Sequence, residues 1–268
     1  MKVLSIDPSV ITAEDNFAEE ITTRGWVHFR QVIDKPFVDY LNEGLAVAYN
    51  LCRSIQIKNG IGGNMNGTVH HLPGQHDSFL EFIQRMYLDK FIKRFFGAPY
   101  ILNGFGGVSN LPSSRSYVSN IHRDIRTFYN VPMMLNMLVM LDDFTEDNGA
   151  TWFLTGSNNF DEKPDEKYFY ENADRALGKA GDIILFDSLL WHAAGMNTTD
   201  KVRRALTLTY SRPFMKQQLD YPRLFGYDNG EAFAPEVRQV IGYNSRVPST
   251  LDEWYQPVEK RFYKQGQG

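Results

Sequence analysis

Val202-Arg203-Arg204-Ala205-Leu206-Thr207-Leu208-Thr209-Tyr210-Ser211 alternates from end to end. In an extended strand successive side chains leave opposite faces, so positions two apart share a face. One face carries Val202, Arg204, Leu206, Leu208 and Tyr210; the other carries Arg203, Ala205, Thr207, Thr209 and Ser211, small and polar apart from the arginine. Such a strand fits a two-sheet roll, with its apolar face under covering helices and its polar face lining a cavity. That phase aims Arg203 at the cavity and leaves Arg204 at the surface. A guanidinium there can clamp a carboxylate through two parallel hydrogen bonds, which Lys does less well.

Working outward, residues 100–214 share this texture. Ile101–Gly107, Tyr117–Asp124, Met133–Leu141, Thr151–Leu154, Asp182–Phe186 and Arg203–Ser211 are short β-rich runs. Asp147-Asn148-Gly149 and Gly178 to Asp182 are turns between them. Residues 1–99 read as mainly helical. Glu14 to Thr23 forms a short polar helix and Gly25–Phe29 a strand. Lys35 to Ser54 spaces Phe37, Leu41, Leu45 and Ala48 by three and four, the mark of an amphipathic helix. Asn59 to Gly67 is a Gly/Asn-rich loop. Asp77 to Phe96 reads as one long helix capped by Asp77 or Ser78 and stopped at Gly97. Residues 215–268 form an irregular, aromatic extension with a short helix at Leu251 to Tyr255. The expectation is one domain over 1–268, mainly β with flanking helices.

With 268 residues the chain can bury a full core, and 43% hydrophobic with 22% charged residues is ordinary for a globular protein. A net charge of −4 argues against a general nucleic-acid binder. The single cysteine, Cys52, rules out an internal disulfide and fits a reducing compartment. MKVLSIDPSV lacks the apolar core of a signal peptide, and the longest apolar run, Val131 to Leu141, is too short to span a bilayer. A cytoplasmic protein without a membrane partner is the expectation; oligomeric state is left open.

His122-Arg123-Asp124 adds chemistry to the cavity. Two imidazoles and one carboxylate are the facial ligand set that holds non-haem Fe(II) with positions left open. On a strand, His122 and Asp124 project from one face, and His192 is a candidate third ligand from a distant strand. Taken alone, the pair also fits a strand histidine bonded to a neighbouring carboxylate, and His192 beside Trp191 also fits a core histidine. The weight comes from His122, Asp124, His192 and Arg203 in order. A second histidine group, His70, His71 and His76-Asp77, fits no metal spacing; helix capping and loop contacts explain it, with His71 or His76 as candidate substrate contacts. Arg126 shares the expected strand face of His122 and Asp124 and is a candidate reader of an anionic substrate group, or else a rim salt bridge. Asn136 interrupts an apolar strand and needs a partner if buried, either a ligand or a neighbouring group. Gly60-Ile61-Gly62-Gly63 and Gly104-Phe105-Gly106-Gly107 are not dinucleotide fingerprints, because neither follows a strand and opens a helix.

Several stretches together resemble the phytanoyl-CoA dioxygenase family of Fe(II)/2-oxoglutarate-dependent oxygenases. They are Gly25-Trp26-Val27, Asn120-Ile121-His122-Arg123-Asp124, and Leu141-Asp142-Asp143-Phe144-Thr145-Glu146-Asp147-Asn148-Gly149-Ala150-Thr151 with Thr155-Gly156-Ser157-Asn158. Gly181-Asp182 through Trp191-His192, then Asn197, Arg203 and Pro235 to Tyr243, complete the set. The resemblance covers most of the chain and is specific for the family, not for a substrate. It implies a double-stranded β-helix (jelly-roll, cupin-like) core. His122, Asp124 and His192 become iron ligands, and Arg203 the partner of the far carboxylate of 2-oxoglutarate. Where many members carry Ser two residues after the distal histidine, this chain has Ala194, so Thr207 or Thr209 is a candidate substitute. Asn120, two before the first histidine, is another candidate co-substrate contact.

The implied reaction uses Fe(II), 2-oxoglutarate and O2 to hydroxylate a C–H bond of a small, polar molecule, releasing succinate and CO2. Family halogenases replace the carboxylate ligand with Gly or Ala; Asp124 favours oxygen transfer, with desaturation or ring formation still open. Two other classes are a non-catalytic β-helix that binds a small ligand and a cupin-like isomerase using a metal without 2-oxoglutarate. Neither needs a carboxylate clamp behind the triad.

Overall fold

The computed structural model describes residues 13–114, 117–127 and 130–267; the amino-terminal stretch read above for a leader lies outside them. In chain order the elements are α1 (Ala13–Arg24), β1 (Trp26–Phe29), α2 (Lys35–Lys58), β2 (Thr68–His70), α3 (Asp77–Gln84), α4 (Asp89–Phe96), β3 (Ile101–Asn110), β4 (Met134–Met140) and β5 (Trp152–Phe153). There follow α5 (Glu166–Asn172), β6 (Asp174–Arg175), β7 (Ile183–Asp187), β8 (His192–Ala193), β9 (Arg203–Ser211), α6 (Tyr221–Phe225), α7 (Pro235–Ile241) and α8 (Leu251–Trp254). Among the described residues no helix is long and apolar enough to cross a membrane.

Two antiparallel sheets face each other. The larger runs β1-β7-β4-β9-β3-β2 and the smaller β6-β5-β8. The larger sheet shows the period-two division expected from β9. Leu135, Met137 and Val139 of β4, Ile183 and Leu185 of β7, and Leu206, Leu208 and Tyr210 of β9 pack under the helices. The intervening Leu138, Met140, Ile184, Phe186 and Ala205 meet Phe153 of the smaller sheet in a second apolar cluster. Asn136, Arg203, Thr207 and Thr209 therefore stand on the inner face, in the space between the sheets.

Helix α2 begins where Asp34 accepts a hydrogen bond from the Phe37 N–H at 2.9 Å, and Pro36 sits in its first turn. It lays Phe37, Val38, Leu41, Leu45 and Ala48 on the larger sheet. The expected helix over Asp77–Phe96 is two helices. At about 3.6 residues per turn, Phe91, Ile92 and Phe96 would leave a straight helix on a different face from Phe79, Phe82 and Ile83. Both sets are buried, and the break at residues 85–88, with Met86 at φ 49° and Leu88 at φ 60°, makes that possible. The N-cap of α3 is His76, not Asp77 or Ser78: its ring accepts the Ser78 N–H at 3.3 Å. The carboxy-terminal stretch is more ordered than its composition predicts. Val237, Val240 and Ile241 of α7 and the fully buried Tyr221 of α6 join the main core.

A candidate metal centre and co-substrate cavity

The expected strand Tyr117–Asp124 is absent. Tyr117–Ser119 is a 3₁₀ turn, and only one rung of β pairing survives beyond it, an antiparallel bridge between His122 and His192. Their backbones exchange hydrogen bonds of 3.0 and 2.9 Å, and Asp124 N–H donates to the Ser188 carbonyl at 3.0 Å. That single rung sets the two imidazole centroids 4.3 Å apart. His122 Nε2 lies 3.7 Å from Asp124 Oδ1, and His192 Nε2 lies 3.8 Å from Asp124 Oδ2. One ligand atom from each of the three residues falls within 4.8 Å of the others. These separations are too long for hydrogen bonds. They suit donors gathered around one cation at roughly 2 Å each.

Tautomers follow from the neighbouring carbonyls. His122 Nδ1 sits 2.7 Å from the Asn120 carbonyl and His192 Nδ1 sits 2.9 Å from the Leu190 carbonyl. A carbonyl only accepts, so each Nδ1 carries the proton and each Nε2 turns a lone pair toward the cluster. Burial, and then His122, push the His192 pKa down, so its ring is neutral and ready to ligate. The Asp124 carboxylate accepts a hydrogen bond from Asn136 Nδ2 at 2.6 Å, and Thr209 Oγ1 donates to Asn136 Oδ1 at 3.1 Å. Two imidazoles and a carboxylate are a donor set that suits Fe(II).

Arg203 stands in the same cavity, 3% exposed. Its guanidinium lies 4.1 Å from the Phe144 ring centroid, and Nη2 donates to the Gly149 carbonyl at 2.7 Å. Its Nε meets no hydrogen-bond partner among the described residues. The nearby Asp142 is engaged by Arg204, with Nε–Oδ2 at 2.8 Å and Nη2–Oδ1 at 2.7 Å. Burial pushes the Arg203 pKa down to about 9, with Asp142 pulling weakly the other way, so the group remains charged at neutral pH. The cavity thus holds a desolvated cation with no ion-pair partner among the described residues. Thr151, Ala194, Thr207 and Thr209 also line it. Thr151 was not singled out in the sequence; its position at the end of the Asp147–Ala150 turn, opening β5, was the available signal.

The remaining candidates divide. Asn136 lines the cavity, and its partners are Asp124 and Thr209. His71 lines it too, at φ 56° with Nδ1 3.4 Å from the Tyr221 hydroxyl. His70 and Tyr117, neither singled out as a site residue, form part of the same wall, 3.0 Å apart through Nε2 and the hydroxyl. Burial lowers the pKa of both His70 and His71, with His70 adding to the effect on His71. Gly104 and Gly106, on the inner face of β3, line the cavity as well. Three candidates lie outside the cavity lining. Asn120 is exposed and outside the lining, and it serves the centre through its carbonyl. Arg126 is also exposed and outside, because the strand phase that aimed it inward does not exist. His76 is a helix cap against Ser78 and Tyr40, away from the cavity.

Two facing antiparallel sheets form a double-stranded β-helix, and between them stand two imidazoles and a carboxylate that could hold a metal ion, with a buried guanidinium beside them. Residues 107–205, which hold all four of those side chains, match the family model of phytanoyl-CoA dioxygenase (PhyH). An uncharacterised Mycobacterium tuberculosis protein, Rv1501, is 40% identical over 172 residues, covering 63% of this chain and 63% of its own. The dioxygenase cdmA of Talaromyces verruculosus is 32% identical over 145 residues, 48% of this chain and 46% of its own. The chain therefore spans about 63% of the first relative's length and under half of the second's. Among solved structures, the non-haem alpha-ketoglutarate-dependent epimerase SnoN from nogalamycin biosynthesis superposes with a TM-score of 0.58 at 21% identity, over 76% of this chain and 84% of that one. The carbocyclase SnoK from the same biosynthesis gives 0.56 at 19%, with the same coverage. Identities this low speak for a shared fold alone.

Proposed function

We propose that this protein is an Fe(II)- and 2-oxoglutarate-dependent oxygenase that hydroxylates a C–H bond of a small molecule. The observation that carries the reading is the unneutralised Arg203 guanidinium in one cavity with the His122, Asp124 and His192 donors. A buried charge is costly unless paired, so the cavity calls for an anion at that end and a cation at the other. A keto-acid with a distal carboxylate answers both. The match of residues 107–205 to the phytanoyl-CoA dioxygenase family model supports it, as does the dioxygenase name of the Talaromyces relative.

His122, Asp124 and His192 would hold the metal, and Arg203 would clamp the distal carboxylate of 2-oxoglutarate, assisted by Thr207 or by Thr151 in place of the hydroxyl that Ala194 lacks. When bound, Fe(II) supplies a coordination sphere in which dioxygen oxidises both partners: 2-oxoglutarate, O2 and R–H give succinate, CO2 and R–OH. The chain's own groups bind and orient. The two Nδ1–H groups stay on their carbonyls, so neither imidazole is a proton donor. Phe186, 5.0 Å from the His192 ring, and Phe153, at 6.0 Å, keep water from that side. Asn136, Thr207 and Thr209 give the cavity a polar side, which supports a polar substrate, and the whole chain is read as one catalytic domain.

The test is to load the protein with Fe(II) without oxygen and add 2-oxoglutarate. A weak metal-to-ligand charge-transfer band is expected in the wild type and in His76→Ala, and not in His122→Ala. An iron-loaded wild type without any such band would sink the reading.

A further inference from the structure

We propose that Thr209 and Asn136 form a positioning relay that commits one oxygen of Asp124 to the protein and leaves the other for the metal; this rests on the metal reading above. Asp124 needs such a device. It lies outside every strand, its side chain is 36% exposed, and its backbone tie is one N–H to the Ser188 carbonyl at 3.0 Å. Asn136, by contrast, is 2% exposed inside the apolar run of β4. An amide in that run is expensive to bury unless its polar atoms are met.

The chemistry fixes the sense of the relay. A carboxylate only accepts, so the amide must turn its NH2 to Asp124, and Nδ2 lies 2.6 Å from Oδ2. The amide oxygen is then left to Thr209, whose hydroxyl donates to it at 3.1 Å. Asn136 and Thr209 are direct register partners of β4 and β9, so the relay is rooted in two adjacent central strands. Without that hydroxyl the amide oxygen loses its donor, and the carboxylate alone is left to hold the sense of the amide. With it, Asp124 presents a single free oxygen. The protein then gives the metal three donors, not four, and positions remain for the keto-acid and dioxygen.

The test uses Co(II), a spectroscopic stand-in for Fe(II), titrated into the full chain by calorimetry and visible absorption. Asn136→Leu is expected to bind Co(II) on the order of 10–100-fold more weakly, with an altered visible spectrum. Thr209→Val should shift both readouts the same way by less, and Thr209→Ser should retain the wild-type values. The double variant should bind no worse than Asn136→Leu alone, since the hydroxyl acts only through the amide. Wild-type affinity and spectrum in Asn136→Leu would overturn the relay, as would Thr209→Val behaving like Thr209→Ser. If Asn136→Leu fails to fold by far-ultraviolet circular dichroism, the two Thr209 variants decide. A wild type that binds no Co(II) would instead overturn the metal reading, and the relay with it.

Discussion

Strands β4 and β9 and the stretch Tyr117–Asp124 deliver side chains to one cavity but are held in opposite ways. β4 and β9 pair over seven residues, from Met134↔Ser211 to Met140↔Ala205. Every side chain there has its face set by the ladder and by the helices packed outside. Tyr117–Asp124 has one rung, at His122, and owes its remaining placement to single contacts. The framework therefore carries the candidate recognising and orienting groups, Arg203, Thr207, Thr209 and Asn136. Two of the three candidate metal donors ride on the irregular stretch. A cation that gathers those donors contributes order where the backbone contributes least.

The sharpest way to break this division is His122→Ala beside His192→Ala. Each should abolish saturable Fe(II) or Co(II) binding in a titration and reduce 2-oxoglutarate consumption to the metal-free background. Tight binding kept in His122→Ala but lost in His192→Ala would exclude the irregular stretch from the centre. Arg203→Met comes next. It should weaken 2-oxoglutarate binding by about 2–5 kcal/mol while leaving Co(II) affinity within about twofold, by calorimetry. Because the ligand-free protein buries that charge without a carboxylate partner among the described residues, the ligand-free variant should melt higher than the ligand-free wild type in a calorimetric scan.

Gly149→Ala should cost roughly 1–3 kcal/mol in denaturant unfolding. Gly149 sits at φ +83°, and an added Cβ would stand 2.6 Å from the Gly195 carbonyl oxygen. Its own carbonyl holds Arg203, so 2-oxoglutarate affinity should fall with stability. Asp182→Asn should touch the framework alone. Burial raises the Asp182 pKa, but hydrogen bonds from His28 and from the Gln31 and Lys179 N–H groups outweigh it and hold it below the usual value. A depressed carboxylate stabilises the fold above its unfolded pKa, near about 3.9, and that share is lost as pH falls through the folded value. The variant should lose about 1–2 kcal/mol at neutral pH and show a shallower acid limb in stability measured from about pH 5 downward. Smallest of all, Arg126→Ala and Asn120→Ala should stay within about 0.5 kcal/mol of wild type in stability, with unchanged 2-oxoglutarate affinity. Both side chains are exposed and outside the cavity, and Asn120→Ala keeps the carbonyl that orients His122.

The same contrast explains what could be read beforehand. Alternation along β9 told which arginine points inward, because a strand with two unlike faces has only one phase that buries the right one. Asn136 stood out as a polar residue in an apolar strand, yet its partner was illegible, since Asp124 reaches it through tertiary placement and no local pattern. A strand assigned to Tyr117–Asp124 put His122 and Asp124 together for the wrong reason, and the same false phase sent Arg126 into the cavity. The long helix over Asp77–Phe96 failed because its apolar residues were counted without following their angle around the axis. In the carboxy-terminal extension, Pro222 and Pro235 each stand in the first turn of a helix, a start signal available in the sequence.

The His122–His192 rung has one last implication. Because the two imidazoles sit on residues that trade backbone hydrogen bonds, a slip of one residue in that seam would turn one of them away from its neighbour. Closing the seam and assembling the ligand pocket are thus one event. A bound ion would act as a clasp across it, so the amide protons of His122 and His192 should exchange with solvent more slowly once the clasp is shut. The protein carries its own gauge of occupancy in its backbone.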